Sequence, residues 1–128
     1  MQLLQEVGAD ASDQQLAQWY SSHPGIRTNM VMSADGGAIG AEGLSGSISG
    51  AADRRILSIL RGVSDAVMVA AGTVRAEGYD PIRTRESLRT YRRSAGMAEH
   101  PVLVVVTRTP TLDPDLAMFT EAPVRPIV

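Results

Sequence analysis

An α/β fold, a mostly parallel central sheet flanked by helices, is what this sequence predicts, and three observations predict it. Residues 65–71 (DAVMVAA) and 101–107 (PVLVVVT) are continuous apolar runs of strand length, the pattern of strands buried on both faces. An amphipathic helix pattern precedes the first run, and a basic, polar segment separates it from the second. Strands that alternate with helices imply parallel pairing.

Taken in order, Ser12 with Gln15 three residues on forms a capping-box pattern, and Leu16, Trp19 and Tyr20 follow at helical spacing, so a short helix is expected at 12–21. Pro24 and Gly25 end it. Residues 27–33 (RTNMVMS) are β-rich and run into Asp35-Gly36-Gly37, which reads as a strand entering a tight turn. The stretch 36–50 holds six glycines and three serines and reads as one loop. Within 51–63, Ile56, Ile59, Leu60 and Val63 share one helical face, Arg54, Arg55 and Arg61 occupy the other, and Asp53 suits the first-turn dipole. The basic stretch 83–97 reads as a helix or loop with a solvated face. Beyond it, Pro110 and Asp113-Pro114-Asp115 mark turns, and 122–128 (APVRPIV) begins another strand. His23 and His100 each precede a proline and read as exposed boundary residues, while Trp19 and Tyr20 read as core staples.

Composition removes several chemistries. The chain has 128 residues and no cysteine, so disulfides, thiolate metal sites and cysteine nucleophiles are out. All 12 basic residues are arginine, which excludes Schiff-base lysines and the phosphate lysine of a P-loop. A net charge of -2 argues against a general nucleic-acid binder. The sequence shows neither a transmembrane run nor a secretory signal pattern, and a cytoplasmic location is the default expectation. No metal site is expected, because neither histidine has a partner at ligand spacing.

In open α/β sheets, ligands bind at the carboxyl ends of the strands. Here those ends carry Ser33-Ala34-Asp35-Gly36, Ala71-Gly72-Thr73-Val74 and Thr107-Arg108. Gly72 admits a phosphate without a Cβ in the way, Thr73 can donate to it, and Arg108 can pair with a ribose phosphate as a planar fork, with Thr107 adding a hydroxyl. Plain readings stand beside these. Gly-Thr at a strand end is an ordinary turn, Asp35 is an ordinary turn residue, and Arg61 suits a helix C-terminus by the dipole alone. Glu77 could be a helix surface charge and Ser45 one more loop residue. There is no GxGxxG fingerprint.

The order of these pieces resembles the pyrimidine reductase family of riboflavin biosynthesis, the reductase domain with a dihydrofolate-reductase-like fold. The resemblance rests on Ser33-Ala34-Asp35-Gly36, the polar segment 45–49, Asp53-Arg54-Arg55, Leu60-Arg61, Ser64-Asp65-Ala66 and Gly72-Thr73-Val74-Arg75-Ala76-Glu77, with spacing that holds from Ser33 to Glu77. It implies NADPH-dependent reduction of a ribosylamino-pyrimidine phosphate. It also implies cofactor contacts at Val31, Ser47, Gly72, Thr73, Glu77 and Thr107 or Arg108, and substrate contacts at Asp35, Ser45, Arg61 and Arg83. Catalytic residues are not assigned. Asn29 stands where many members have lysine, Ser47 where tryptophan is common, and Glu77-Gly78-Tyr79 replaces an acidic-acidic-proline sequence. The lysine departure admits a dihydrofolate or other pterin substrate on the same fold, and a noncatalytic nucleotide-binding module is the reading from another class.

The expected layout is an N-terminal extension with a short helix at 1–26 and the N-terminal half of a reductase domain at 27–128. About half of the family's fold is present on this reading. The rest would come from further chain or from a complementing polypeptide, with a homodimer expected, since an unpaired sheet edge favours association.

Overall fold

The computed structural model describes residues 11–22, 24–109 and 111–128. His23 and Pro110 lie outside the described residues, so the readings made of them have no structural counterpart.

The capping box forms as its residue types dictate. Ser12 Oγ accepts from the Gln15 amide at 3.3 Å, while the Gln15 side chain accepts from the Ser12 amide at 2.8 Å, and helix α1 runs over Asp13–Ser21. Helix α2 (Ala51–Gly62) is followed by strand β1 (Ala66–Ala70), helix α3 (Ala71–Glu77), helix α4 (Glu86–Ser94), strand β2 (Val102–Val106) and the short helix α5 (Ala117–Thr120). Strands β1 and β2 pair in parallel, with Ala66 opposite Val102 and Ala70 opposite Val106. Among the described residues, no helix is long and apolar enough to cross a membrane.

Two cores hold these elements. Leu103 and Val105 of β2 pack with Ala71 and Val74 of α3, Ile82 and Met118, and Val67 and Val69 of β1 lie against the same cluster. Leu16 and Ala17 of α1, Ile59 of α2, Val63 and Leu88 of α4 form the other. Complete burial of a side chain such as Ile59 or Leu88 stabilises by about 1.5–3 kcal/mol relative to exposure.

The basic segment departs from the solvated face expected of it. Arg92, only 1% exposed, donates from Nε to the Ala98 carbonyl at 2.6 Å and from Nη1 to the carbonyls of Gly62 and Ser64 at 2.9 and 2.8 Å. Its guanidinium thus supplies donors to chain that has just left α2, where helix geometry has none to offer. Burial pulls its pKa below the ordinary arginine value, with the Asp65 carboxylate opposing that pull. Gly62 lies tight against Leu88, so that a Cβ there would overlap the Leu88 side chain.

Three further expectations are corrected. Residues 27–33 form no strand. Among the described residues, 28–32 make no backbone hydrogen bond to β1, and Met30 and Met32 are exposed, so the segment has neither the ladder nor the facing layer that a strand requires. The two apolar runs are strands, but β1 is covered on one face only, with Met68 71% exposed. The strand expected at 122–128 reduces to a single parallel bridge between Val104 and Ile127, closed by hydrogen bonds from Val105 N to Ile127 O at 2.8 Å and from Ile127 N to Leu103 O at 2.9 Å. Two ring residues also differ. Trp19 is 37% exposed, in edge contact with Tyr20, and His100 is tucked in, its Nδ1 accepting from Thr84 N at 3.0 Å.

Candidate functional site

Parallel pairing brings the carboxyl ends of β1 and β2 to the same edge of the sheet. Gly72 and Thr73 lie in the first turn of α3 directly after β1, and Thr107 and Arg108 directly after β2, so four residues expected to hold a cofactor sit side by side. The α3 N-terminus has no side-chain cap, and Gly72 is exposed, with open space where a Cβ would stand. The fold itself does not need glycine there. A phosphate-bearing cofactor could approach the backbone at this point, and the residues present fit one. Arg108 is exposed and forms no ion pair with the described residues. The Thr107 hydroxyl donates to the Thr109 carbonyl at 2.6 Å and accepts from the Thr109 amide at 3.3 Å, which shapes the loop that presents Arg108.

Other expected cofactor contacts are placed differently. Val31 lies half-buried in the extended segment before the Asp35 turn, and Ser47 is exposed, 3.5 Å from the Leu44 carbonyl and hydrogen-bonded to Glu42, whose carboxyl it lowers in pKa. Among the described residues, no hydrogen bond joins either to the strand ends. Glu77, the last residue of α3, accepts from the Ser45 amide at 3.3 Å and from the Ser45 hydroxyl at 3.0 Å. These two, expected on cofactor and substrate respectively, satisfy each other and fasten the glycine-rich loop to α3.

A cavity of about 320 Å³ lies beside that clasp, and its walls include Ser58, Arg61, Glu77, Tyr79, Asp80 and Arg83. Arg61 projects from the last turn of α2, and its Nη2 donates to the Tyr79 hydroxyl at 2.7 Å while the guanidinium carbon stands 5.5 Å from the Tyr79 ring centroid. Its Nε is buried and without a hydrogen-bond partner. Arg83 also lines the cavity, and its Nη2 donates to the Glu121 carbonyl at 2.8 Å. Two guanidinium groups, neither in an ion pair with a described residue, make this cavity suited to an anion.

Asp35 sits in the turn after residue 33. Its carboxylate accepts from the Ser33 hydroxyl and then from the Gly37 amide, which together hold its pKa below the usual carboxylate value, and Gly36 takes the left-handed φ of +88° that the turn requires. No contact joins it to the Arg61 cavity among the described residues. Asn29, at the family's lysine position, donates to Asp53 at 3.2 Å, and Ser49 donates to the same carboxylate at 2.6 Å; Ser49 first and Asn29 second lower the Asp53 pKa. Among the described residues, no cluster of histidine, aspartate or glutamate with metal-binding geometry occurs.

Ser58, Tyr79 and Asp80 are the polar residues lining this cavity that sequence reasoning missed. The available signal was local: Tyr79 and Asp80 stand between Gly78 and Pro81, a turn pattern that follows Glu77 directly.

Known proteins resemble this chain at the level of family and fold. The family profile described as the RibD C-terminal domain matches residues 24–128. Among solved structures, a pyrimidine reductase-like protein from Corynebacterium diphtheriae is 30% identical over 69% of this chain, with a TM-score of 0.62. The match spans 35% of that chain, about a third of its length. No curated protein sequence matches.

Proposed function

The chain belongs to the RibD C-terminal domain family, and from that premise we propose that it serves an NADPH-dependent reductase acting on a ribosylamino-pyrimidine phosphate. The observation that carries this reading is the placement of α3, a helix of 7 residues. Gly72 and Thr73 at its start share the sheet edge with Thr107 and Arg108, and Glu77 at its end borders the Arg61 cavity. Such a helix spans roughly 10 Å, so a dinucleotide at one end and a sugar phosphate at the other come within reach of each other.

The chemistry that NADPH would supply here, when bound, is a hydride for reduction of an opened-ring carbonyl or imine carbon of the ribose. The chain's own residues bind and orient. The amides at Gly72 and Thr73 and the Arg108 guanidinium would hold the cofactor's phosphates, with Arg108 the group suited to a 2′-phosphate. Val31 and Ser47 are cofactor contacts on the family resemblance alone, since neither is hydrogen-bonded to the strand ends among the described residues. Arg61 and Arg83 receive the substrate phosphate, Ser45 is held for its substrate by Glu77, and Asp35, a substrate contact on the family resemblance alone, shapes its own turn with Ser33 and Gly37. Holding the two reactants in one orientation is the main catalytic contribution expected of such a site.

Asn29 favours a second substrate class. Because it is neutral and tied to Asp53, no cation stands at the family's lysine position, and a pterin or dihydrofolate becomes a competing acceptor. The bare face of β1, with Met68 and the neighbouring Met30 exposed, supports association, as a homodimer or with a complementing chain. A cytoplasmic reductase is the setting this reading assumes.

Steady-state NADPH oxidation with a panel of ribosylamino-pyrimidine phosphates and pterins tests the assignment. Arg61→Ala and Arg83→Ala are expected to raise KM for the phosphorylated substrate about tenfold or more, with NADPH affinity nearly unchanged. Arg108→Ala is expected to weaken NADPH more than NADH. Equal losses for the two cofactors would remove the 2′-phosphate role, and unaltered substrate use in both arginine variants would remove the phosphate site.

A further inference from the structure

Arg61 has a plain alternative role, that of a cation closing the C-terminus of its own helix. The hydrogen bonds there leave little for it to do. The Leu60 carbonyl accepts from Ser64 Oγ at 2.7 Å, the Arg61 carbonyl from the Ser64 amide at 3.4 Å, and the Gly62 carbonyl from Arg92. With those acceptors already met, the Arg61 side chain reaches instead to Tyr79, a residue 18 positions away, and meets both its hydroxyl and its ring.

We infer that Tyr79 is a positioning residue that holds the Arg61 guanidinium open toward the phosphate of a sugar-phosphate ligand. The inference rests on the reading of the Arg61 cavity as a phosphate site. An arginine has rotamer freedom to lose on binding, and a ring with a hydroxyl at its edge removes that freedom beforehand. Tyr79 takes one of the five N–H donors and no charge. A carboxylate in its place would neutralise the guanidinium and compete with the ligand, whereas a phenol orients it and leaves its charge uncommitted. Among the described residues Arg61 forms no ion pair, and its Nε lacks any acceptor, so the cation is fixed yet under-satisfied. The carboxylates on the same walls do not quench it. Glu77 is turned to Ser45, and Asp80 is exposed without an ion pair, leaving it as an acceptor for sugar hydroxyls. The partly buried Tyr79 ring packs against the core cluster around Val74 and Ile82, which gives the guanidinium a rigid support.

Calorimetric titration of the purified protein with ribose 5-phosphate, for the native chain, Tyr79→Phe, Arg61→Ala and the double variant, tests this, with NADPH titration as the control. Tyr79→Phe keeps the ring in the core and removes only the hydroxyl. It is expected to weaken ribose 5-phosphate about three- to tenfold, to leave NADPH affinity unchanged, and to add nothing once Arg61 is alanine. Native-like binding by Tyr79→Phe, or an equal loss in the Arg61→Ala background, overturns the role of Tyr79 while the phosphate site stands. Native-like binding by Arg61→Ala overturns the site itself. The Arg61 Nε–H resonance gives a second readout: a sharp signal in the native chain that broadens in Tyr79→Leu supports the inference, and an unchanged signal contradicts it.

Discussion

The α1–α2–α4 corner and the strand-end corner are built from the same kinds of residue and differ in how far they are closed. In the first, Leu16, Ala17, Ile59, Val63 and Leu88 face one another, and the carbonyls beyond α2 are met by a buried arginine. In the second, α3 begins without a side-chain cap, Gly72 faces open space, and beside the other end of α3 Arg61 keeps an unmet donor. Arg92 and Arg61 make the contrast sharp. Arg92 has its donors spent on three backbone carbonyls, as a structural cation should, whereas Arg61 is held by a neutral aromatic and left available. An arginine's partners, more than its burial, separate a brace from a binding group.

Substitutions in the closed corner should therefore cost stability, and those in the open corner should cost binding. The largest stability loss is expected for Arg92→Leu, which strips charged donors from three buried or half-buried carbonyls. About 3 kcal/mol should be lost in urea unfolding, and a loss below about 1 kcal/mol would show that solvent replaces the guanidinium. Gly62→Ala comes next, at about 2 kcal/mol, because the new methyl must displace the fully buried Leu88. Ser12→Ala should lose about 1 kcal/mol through the α1 cap. In the open corner, Ser45→Ala should leave the unfolding midpoint within about 0.5 kcal/mol of native while speeding amide exchange in the glycine-rich loop, since it releases that loop from Glu77.

Acid sensitivity belongs to the closed corner as well. The Ser87 hydroxyl, at 2.7 Å, and then Arg55 hold the Asp13 carboxyl below its ordinary value of 3.8, with burial opposing them. A depressed folded pKa contributes stability that is complete above the unfolded value and is lost as pH falls through the folded one. Native protein should lose stability on acidification below about pH 4, and Asp13→Asn, less stable at neutral pH, should lose less over the same range; parallel pH profiles would count against this pairing.

Legibility in the sequence follows the reach of each interaction. Local signals were sufficient for α1, whose cap lies within four residues, and for α2 and the two apolar strands, whose periodicity lies within one turn or one run. The stretch 27–33 has the composition of a strand, yet strand formation is decided by a neighbour's free edge, and composition carries no information on that. Arg92 was hidden for a related reason. Nothing in a charge run shows which member stands opposite carbonyls 28 and 30 residues away. The common placement of Gly72, Thr73, Thr107 and Arg108 was legible because strand ends are. The pairing of Ser45 with Glu77, and of Arg61 with Tyr79, spans 32 and 18 residues and emerges only once the chain is folded.

Substrate-dependent consumption of NADPH by the purified protein, supplied with a ribosylamino-pyrimidine phosphate, bears most directly on the function proposed for the open corner. The account predicts turnover in the native protein and, in Arg61→Ala, a KM raised about tenfold with NADPH affinity retained. Tight binding of NADPH without turnover on any ribosylamino-pyrimidine phosphate or pterin would contradict it and leave a nucleotide-binding module in place of a reductase.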